Sequence, residues 1–214
     1  MQRKRVFVGV GYRRDRLSNS TCTHAMRRAM HEGHTRRPLQ ANGAHSHERR
    51  SKMARERHLE WEAVKWNRKA AVQGHPDTQF RLGSCYEHLH LMQDPTEAVG
   101  WYRKAAAQGQ IDAQVTLGQI YANGDLATED VNEAMKWFRK AAEHGNADAQ
   151  YELGKMYVER LGVKRDDVQA LKRLKLASLS RDLPAIADRD ALAAKLRPSQ
   201  VAEAERLARE WKPK

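Results

Sequence analysis

The nine residues WYRKAAAQG, Trp101 to Gly109, occur almost unchanged at two other places in the chain. The other copies are WNRKAAVQG, which begins at Trp66, and WFRKAAEHG, which begins at Trp137. The tryptophans at positions 66, 101 and 137 lie 35 and then 36 residues apart. A fixed period of about 20–50 residues is typical of a solenoid of stacked supersecondary units. The period therefore predicts a repeat protein.

The first half of each copy has the pattern of an amphipathic helix. In the second copy the apolar residues are Ala98, Trp101, Tyr102, Ala105 and Ala106, which share one helical face. The closing glycine permits the left-handed backbone conformation that ends a helix. We expect the tryptophans to pack in the core. The alternative, an aromatic ladder that stacks bases or sugars, is weaker because the tryptophans share a helical register with paired alanines.

The second half of each copy contains a Leu-Gly pair. Its copies are TQFRLGSCY from Thr78, AQVTLGQIY from Ala113 and AQYELGKMY from Ala149. A glycine inside a helix costs about 1 kcal/mol relative to alanine, so a repeated one needs a packing reason. We expect close contact with a neighbouring helix there. The short loops between the halves predict antiparallel neighbours.

Together the two halves resemble the Sel1-like repeat, a relative of the tetratricopeptide repeat, over about residues 56–180. The resemblance implies an all-α fold, an α/α solenoid in which antiparallel helix pairs stack into a right-handed superhelix. About seven to nine helices and no sheet are expected, from about Ala54 to Trp211. The predicted organisation is a basic arm over residues 1–52, repeats over 53–180 and C-terminal capping helices over 181–214. Trp211 is expected to anchor the last helix.

The resemblance implies a non-enzymatic scaffold or adaptor that binds a peptide or protein segment in a concave groove. The helices with Leu-Gly pairs would line that groove. Eleven side chains are then expected to face the partner: Phe80, Ser84, Glu87, His88, Val115, Gln119, Asn123, Tyr151, Lys155, Val158 and Glu159. These positions differ between copies while the framework does not. That variation fits a groove that discriminates between partners, and equally fits solvated positions that drift.

No catalytic residue, metal or cofactor is expected. No Ser or Cys has a recognisable activating partner, and Cys85 is interpreted as a small packing group. A hydrolase activity of the kind suggested for cysteine-rich relatives is a distant alternative, because the chain lacks their paired cysteines. Cys22, His24, His31 and His34 could form a zinc site, but they lack a Cys-x-x-Cys framework.

Most of the excess positive charge lies near the N-terminus. Residues 1–60 hold fifteen Lys and Arg against five Asp and Glu, a net charge of +10 out of +12 for the chain. Residues 1–52 are expected to be disordered, and could bind nucleic acid or another anionic surface through their arginine pairs. Alternatively, translation starts naturally at Met53. The sequence as given predicts a cytoplasmic, monomeric protein without a membrane span, and a different start would allow a periplasmic or secreted one.

Overall fold

The computed structural model of the 214-residue chain describes residues 58, 61–89, 93–159, 161, 164–180 and 183–214. Within these ranges the chain forms nine helices and no strand. The helices are α1 (residues 61–71), α2 (Pro76–His88), α3 (Pro95–Ala107), α4 (Ile111–Asn123), α5 (Val131–Glu143), α6 (Ala147–Glu159), α7 (Asp167–Ser178), α8 (Leu183–Ala193) and α9 (Pro198–Glu210). The predicted all-α repeat fold is confirmed. The basic arm and the four residues of the conceivable zinc site lie outside the described residues.

The helices belong to two compact units, residues 1–105 and 106–214. The described part of the first unit contains α1, α2 and most of α3. The second unit contains α4 to α9. No helix in the described ranges is long and apolar enough to cross a membrane.

Aspartates 36 residues apart start three of the helices that correspond to the W-x-R-K-A-A pattern. Asp94, Asp130 and Asp166 precede α3, α5 and α7. At the start of α5, Oδ1 of Asp130 accepts hydrogen bonds from the backbone N–H groups of Asn132 and Glu133, at 3.0 and 3.1 Å. The other two aspartates make the same pair of bonds. Such a cap contributes about 1 kcal/mol, because it satisfies donors that have no partner inside the helix.

Glycines end the first half of each copy, as predicted. Gly74, Gly109 and Gly145 have φ angles of 95°, 91° and 85°, in the left-handed region that side chains disfavour. The backbone therefore reverses at the same point of every copy.

The Leu-Gly glycines are contact points between helices, which confirms the packing reason expected for them. A Cβ placed on Gly118 would lie 2.5 Å from Cε1 of Phe138. The equivalent distance is 2.7 Å from Gly83 to Cδ1 of Tyr102 and 2.9 Å from Gly154 to Cγ of Leu174. Each large side chain stands one residue after the tryptophan position of the following helix, so a missing Cβ in one helix accommodates a ring or a leucine of the next.

A buried glutamine ties the start of each Leu-Gly helix to the end of the helix before it. The Nε2 atoms of Gln79, Gln114 and Gln150 donate to the carbonyl oxygens of Ala71, Ala106 and Ala142, at 3.2, 3.1 and 2.7 Å. Each of these carbonyls also accepts from the backbone N–H of the glycine three residues later, so the glutamine adds a second donor to a carbonyl in the last turn of a helix.

The C-terminal helices pack on the third copy, and the chain end folds back onto α5. Leu174 of α7, Leu192 of α8 and Ala204 of α9 share one core cluster. Beyond α9, the backbone N–H of Lys214 donates to the carbonyl of Glu143 at 2.8 Å, and its Nζ lies 2.6 Å from Oε2 of the same residue. Trp211 is half-buried beside Gly145. The aromatic residue thus helps to hold the segment after α9, in keeping with its predicted anchoring role.

Two of the three repeat tryptophans pack as predicted, and one does not. Trp101 and Trp137 are 7% and 8% exposed, whereas Trp66 is 67% exposed. The prediction of a core position is therefore wrong for Trp66. Its helix, α1, has no Leu-Gly helix of the repeat pattern before it in the sequence, so the burial that the pattern implies is incomplete.

Candidate functional site

The eleven predicted partner-binding residues differ widely in exposure. Four are buried: Ser84, Glu87, Val115 and Tyr151. Four are half-buried: Phe80, Gln119, Lys155 and Val158. Three are exposed: His88, Asn123 and Glu159. A buried side chain offers a partner little surface, so burial separates members that hold the helices together from members that face solvent.

In the first unit, the buried members join α2 to α3. Oε2 of Glu87 accepts a hydrogen bond from the Tyr102 hydroxyl at 2.6 Å, and the ring of Phe80 lies 5.5 Å from the ring of Tyr102 between centroids. His88 is exposed, with Nε2 3.7 Å from Oε2 of Glu87. Glu87 and Phe80 therefore support the α2–α3 contact, and His88 is the member that reaches solvent.

In the second unit, Tyr151 and Lys155 belong to a polar cluster between α6 and α8. The Tyr151 hydroxyl donates to Oδ2 of Asp188 at 2.8 Å. Nζ of Lys155 lies 5.5 Å from the centre of the Tyr151 ring and 3.6 Å from Oε2 of Glu152. Burial raises the pKa of the Glu152 carboxyl above its ordinary value, against the opposing effect of Lys155. Substitution of Lys155 would therefore disturb the fold as well as any partner.

His88, Asn123 and Glu159 are the same position in three copies, 35 and 36 residues apart. Each is at the last residue of a Leu-Gly helix: α2, α4 and α6. This position is exposed in every copy, while the residue four earlier is buried or half-buried in every copy. We call it the terminal position of the Leu-Gly helices. It presents an imidazole, an amide and a carboxylate on a constant framework.

No group of three or more His, Cys, Asp or Glu in the described ranges could hold a metal ion. Cys85 is fully buried, and its sulfur accepts a hydrogen bond from Nδ2 of Asn67 at 3.7 Å. That environment suits the packing role predicted for it.

Arg173, which replaces the tryptophan in α7, has a role that sequence reasoning missed. Its Nη1 donates to Oε1 of Gln150 at 2.9 Å, so the framework glutamine is held on both sides. Burial lowers the pKa of the guanidinium from its ordinary value, although arginine stays charged. In the sequence, the signal for this role was the replacement of a repeated tryptophan by arginine at position 173. The capping aspartates were missed too, although their spacing of 36 residues is readable in the sequence.

The sequence model of the Sel1 repeat matches three consecutive segments: residues 76–110, 111–146 and 147–179. Each segment consists of a Leu-Gly helix followed by the helix that packs on its glycine. With these repeat boundaries, α1 precedes the first repeat. Helix α7, which has Arg173 at the tryptophan position, completes the third repeat. Sel1 repeat proteins generally mediate protein–protein interactions.

Two solved structures are similar to the chain. A protective antigen of uropathogenic Escherichia coli strains, which displays an SLR fold, is 31% identical with a TM-score of 0.53, over 71% of this chain and 40% of the antigen. A Sel1 repeat protein from Oxalobacter formigenes is 33% identical with a TM-score of 0.58, over 69% of this chain and 63% of the other. The chain thus spans less than two thirds of either structure. No curated protein matches it significantly.

Proposed function

We propose that this chain, which contains three Sel1 repeats, is a non-enzymatic scaffold that binds a peptide or protein segment through the exposed ends of the Leu-Gly helices α4 and α6 in its second unit. The observation that carries the proposal is the terminal position occupied by His88, Asn123 and Glu159. It is exposed in all three copies, and its chemistry changes from copy to copy. A binding protein needs such positions, because its framework must stay constant while its contacts discriminate.

The surrounding contacts favour the same assignment. The buried members of the predicted set already have partners within the protein, such as Tyr102 for Glu87 and Asp188 for Tyr151. They hold the exposed side chains on rigid helices, which limits the entropy lost when a partner binds.

The test is affinity capture by the full-length chain, with captured proteins quantified by mass spectrometry. The test variant carries Asn123→Arg and Glu159→Lys, both at exposed positions. The control variant carries Lys195→Glu and Lys212→Glu, at exposed positions after α8 and α9. Lys155 is left unchanged because of its contacts with Glu152 and Tyr151.

We expect the test variant to lose several-fold of at least one captured protein that the control retains. Both variants should keep a free energy of unfolding within about 0.5 kcal/mol per substitution of the parent, as surface changes do. Capture that is unaffected by the test variant, or lost equally in the control, would contradict the assignment.

Binding of nucleic acid through residues 1–52 is a second candidate, which rests on the net charge of +10 in residues 1–60. Phosphate contacts by the arginines would make the affinity for RNA or DNA fall steeply with salt. Equal retention of RNA and DNA by the full chain and by a chain lacking residues 1–52 would exclude this candidate.

A further inference from the structure

Helix α1 carries an exposed surface that is both apolar and basic. The surface borders a cavity of about 550 Å³. We call it the α1 surface and define it by its exposed members, Trp61, Lys65, Arg68, Lys69 and Val72. These five follow one side of the helix and its end, at a helical spacing of three to four residues.

The apolar members are unusual for their place in the repeat. At the position of Trp61 the next two copies have Thr96 and Asn132, and at the position of Val72 they have Ala107 and Glu143. Trp61 and Val72 are 47% and 71% exposed. Large apolar side chains thus occupy positions where the equivalent helices carry small or polar ones, and the fold does not bury them. An exposed apolar patch with a polar rim is typical of an interaction site.

The charges of the α1 surface are almost all positive. Lys65, Arg68 and Lys69 lie on it, and the neighbouring acid, Glu62, is 3.6 Å from Nζ of Lys65. The side chains of Arg68 and Lys69 form no hydrogen bond or ion pair within the part of the chain that the structure describes. The surface therefore complements an acidic ligand.

The charges also argue against two other occupants. A second copy that presents the same surface would place cations opposite cations. Residues 1–57 carry fifteen Lys and Arg against four Asp and Glu, so this segment is repelled as well. Charge complementarity therefore favours an acidic segment of another protein.

The apolar members favour a polypeptide over a nucleic acid. Trp61 is the one exposed aromatic ring of the α1 surface, and Nζ of Lys65 lies 4.7 Å from its centre, so the surface lacks the series of open rings on which successive bases stack. An amphipathic helix instead offers apolar side chains to Trp61 and Val72 and carboxylates to Arg68 and Lys69. Residues 61–71 extend for about 16 Å, which matches three turns of such a ligand.

We propose that the α1 surface docks an acidic amphipathic helix of another protein, at a site separate from the ends of the Leu-Gly helices. Leucines of the ligand would contact Trp61 and Val72, and its carboxylates would pair with Arg68 and Lys69. This is the helix-in-groove mode of recognition.

The experiment measures binding of a fluorescein-labelled peptide to the full-length chain by fluorescence anisotropy. The peptide has about 14 residues, with leucines spaced i, i+3, i+4 and i+7 and glutamates on its other face. The competitors are polyglutamate, single-stranded oligothymidine and vesicles that contain phosphatidylserine. The test variants are Arg68→Glu/Lys69→Glu and Trp61→Thr/Val72→Ala, and the latter installs the residues of the second copy.

The matched control is Arg139→Glu/Lys140→Glu, which makes the same charge change at the same repeat positions of α5. We expect each test variant to weaken peptide binding at least about tenfold while the control changes it less than about threefold. Polyglutamate should compete poorly because it has no apolar face.

Four results would overturn the proposal: no binding of the peptide, equal loss in the control, full competition by polyglutamate, or stronger binding of the oligothymidine or the vesicles. A dimer in sedimentation that the Trp61→Thr/Val72→Ala variant abolishes would also overturn it, in favour of self-association.

Discussion

Replacement of a repeat tryptophan by alanine should destabilise the fold strongly in one copy and hardly at all in another. Trp137 is 8% exposed and lies beside Phe138, which packs on Gly118. Trp137→Ala removes a buried aromatic ring, which costs about 3–5 kcal/mol. For a chain of this size that corresponds to a fall in Tm of about 6–20 °C. Trp66→Ala makes the same chemical change at 67% exposure, and should cost no more than about 0.5 kcal/mol.

The measurement is thermal and urea unfolding of both variants and the parent, followed by circular dichroism at the helical band. Circular dichroism is preferred to tryptophan fluorescence because the substitutions themselves remove fluorophores. The reasoning would be refuted if Trp66→Ala destabilised the chain as much as Trp137→Ala. It would fail equally if the loss of Trp137 left the transition unmoved.

Three further changes test the packing, the hydrogen bonds and the chain end. Gly118→Ala should lower the free energy of unfolding, because the added Cβ would lie 2.5 Å from the Phe138 ring. Gly100 has open space around it, so Gly100→Ala should raise the free energy of unfolding by up to about 1 kcal/mol in the same urea melts. Gln150→Leu should cost about 1–3 kcal/mol, because the half-buried Arg173 guanidinium loses its hydrogen-bond partner and the Ala142 carbonyl loses one of its donors, and an unchanged melt would refute that role. The hydrogen bond from Lys214 lowers the pKa of the Glu143 carboxyl, so this contact stabilises the fold above the ordinary carboxyl pKa and is lost as pH falls through the lowered value. The Tm difference between the parent and Lys214→Ala should therefore shrink on acidification, and a difference that is constant with pH would contradict the sign.

The repeat was predictable because each copy encodes the same contacts. The three glycines after R-K-A-A predicted where helices end, and their positive φ angles confirm it. The Leu-Gly pairs predicted close contact, since a costly glycine that recurs has a structural reason. The partner of each glycine was not predictable, because Tyr102, Phe138 and Leu174 differ in type and are brought into place only by the packing of the next helix.

The candidate binding residues were predictable as helix positions but not as surface. The helical register placed Tyr151 and Glu159 together in one set. The packing of α7 and α8 on α6 buries Tyr151, whose hydroxyl donates to Asp188 at a separation of 37 residues, and leaves Glu159 in solvent. A contact between residues so far apart leaves no periodic signal, and a single sequence holds no other record of it.

The sequence by itself determined the repeat, its period, the all-α class and the match to the Sel1 repeat, because these depend on local patterns that recur every 35 or 36 residues. Only the tertiary structure decided which of the equivalent side chains are buried and which are exposed. Trp66 and Trp137 have similar local sequences, yet one is exposed and the other buried. The physical reason is that burial depends on what packs against a helix, and a local pattern specifies the helix but not its neighbours.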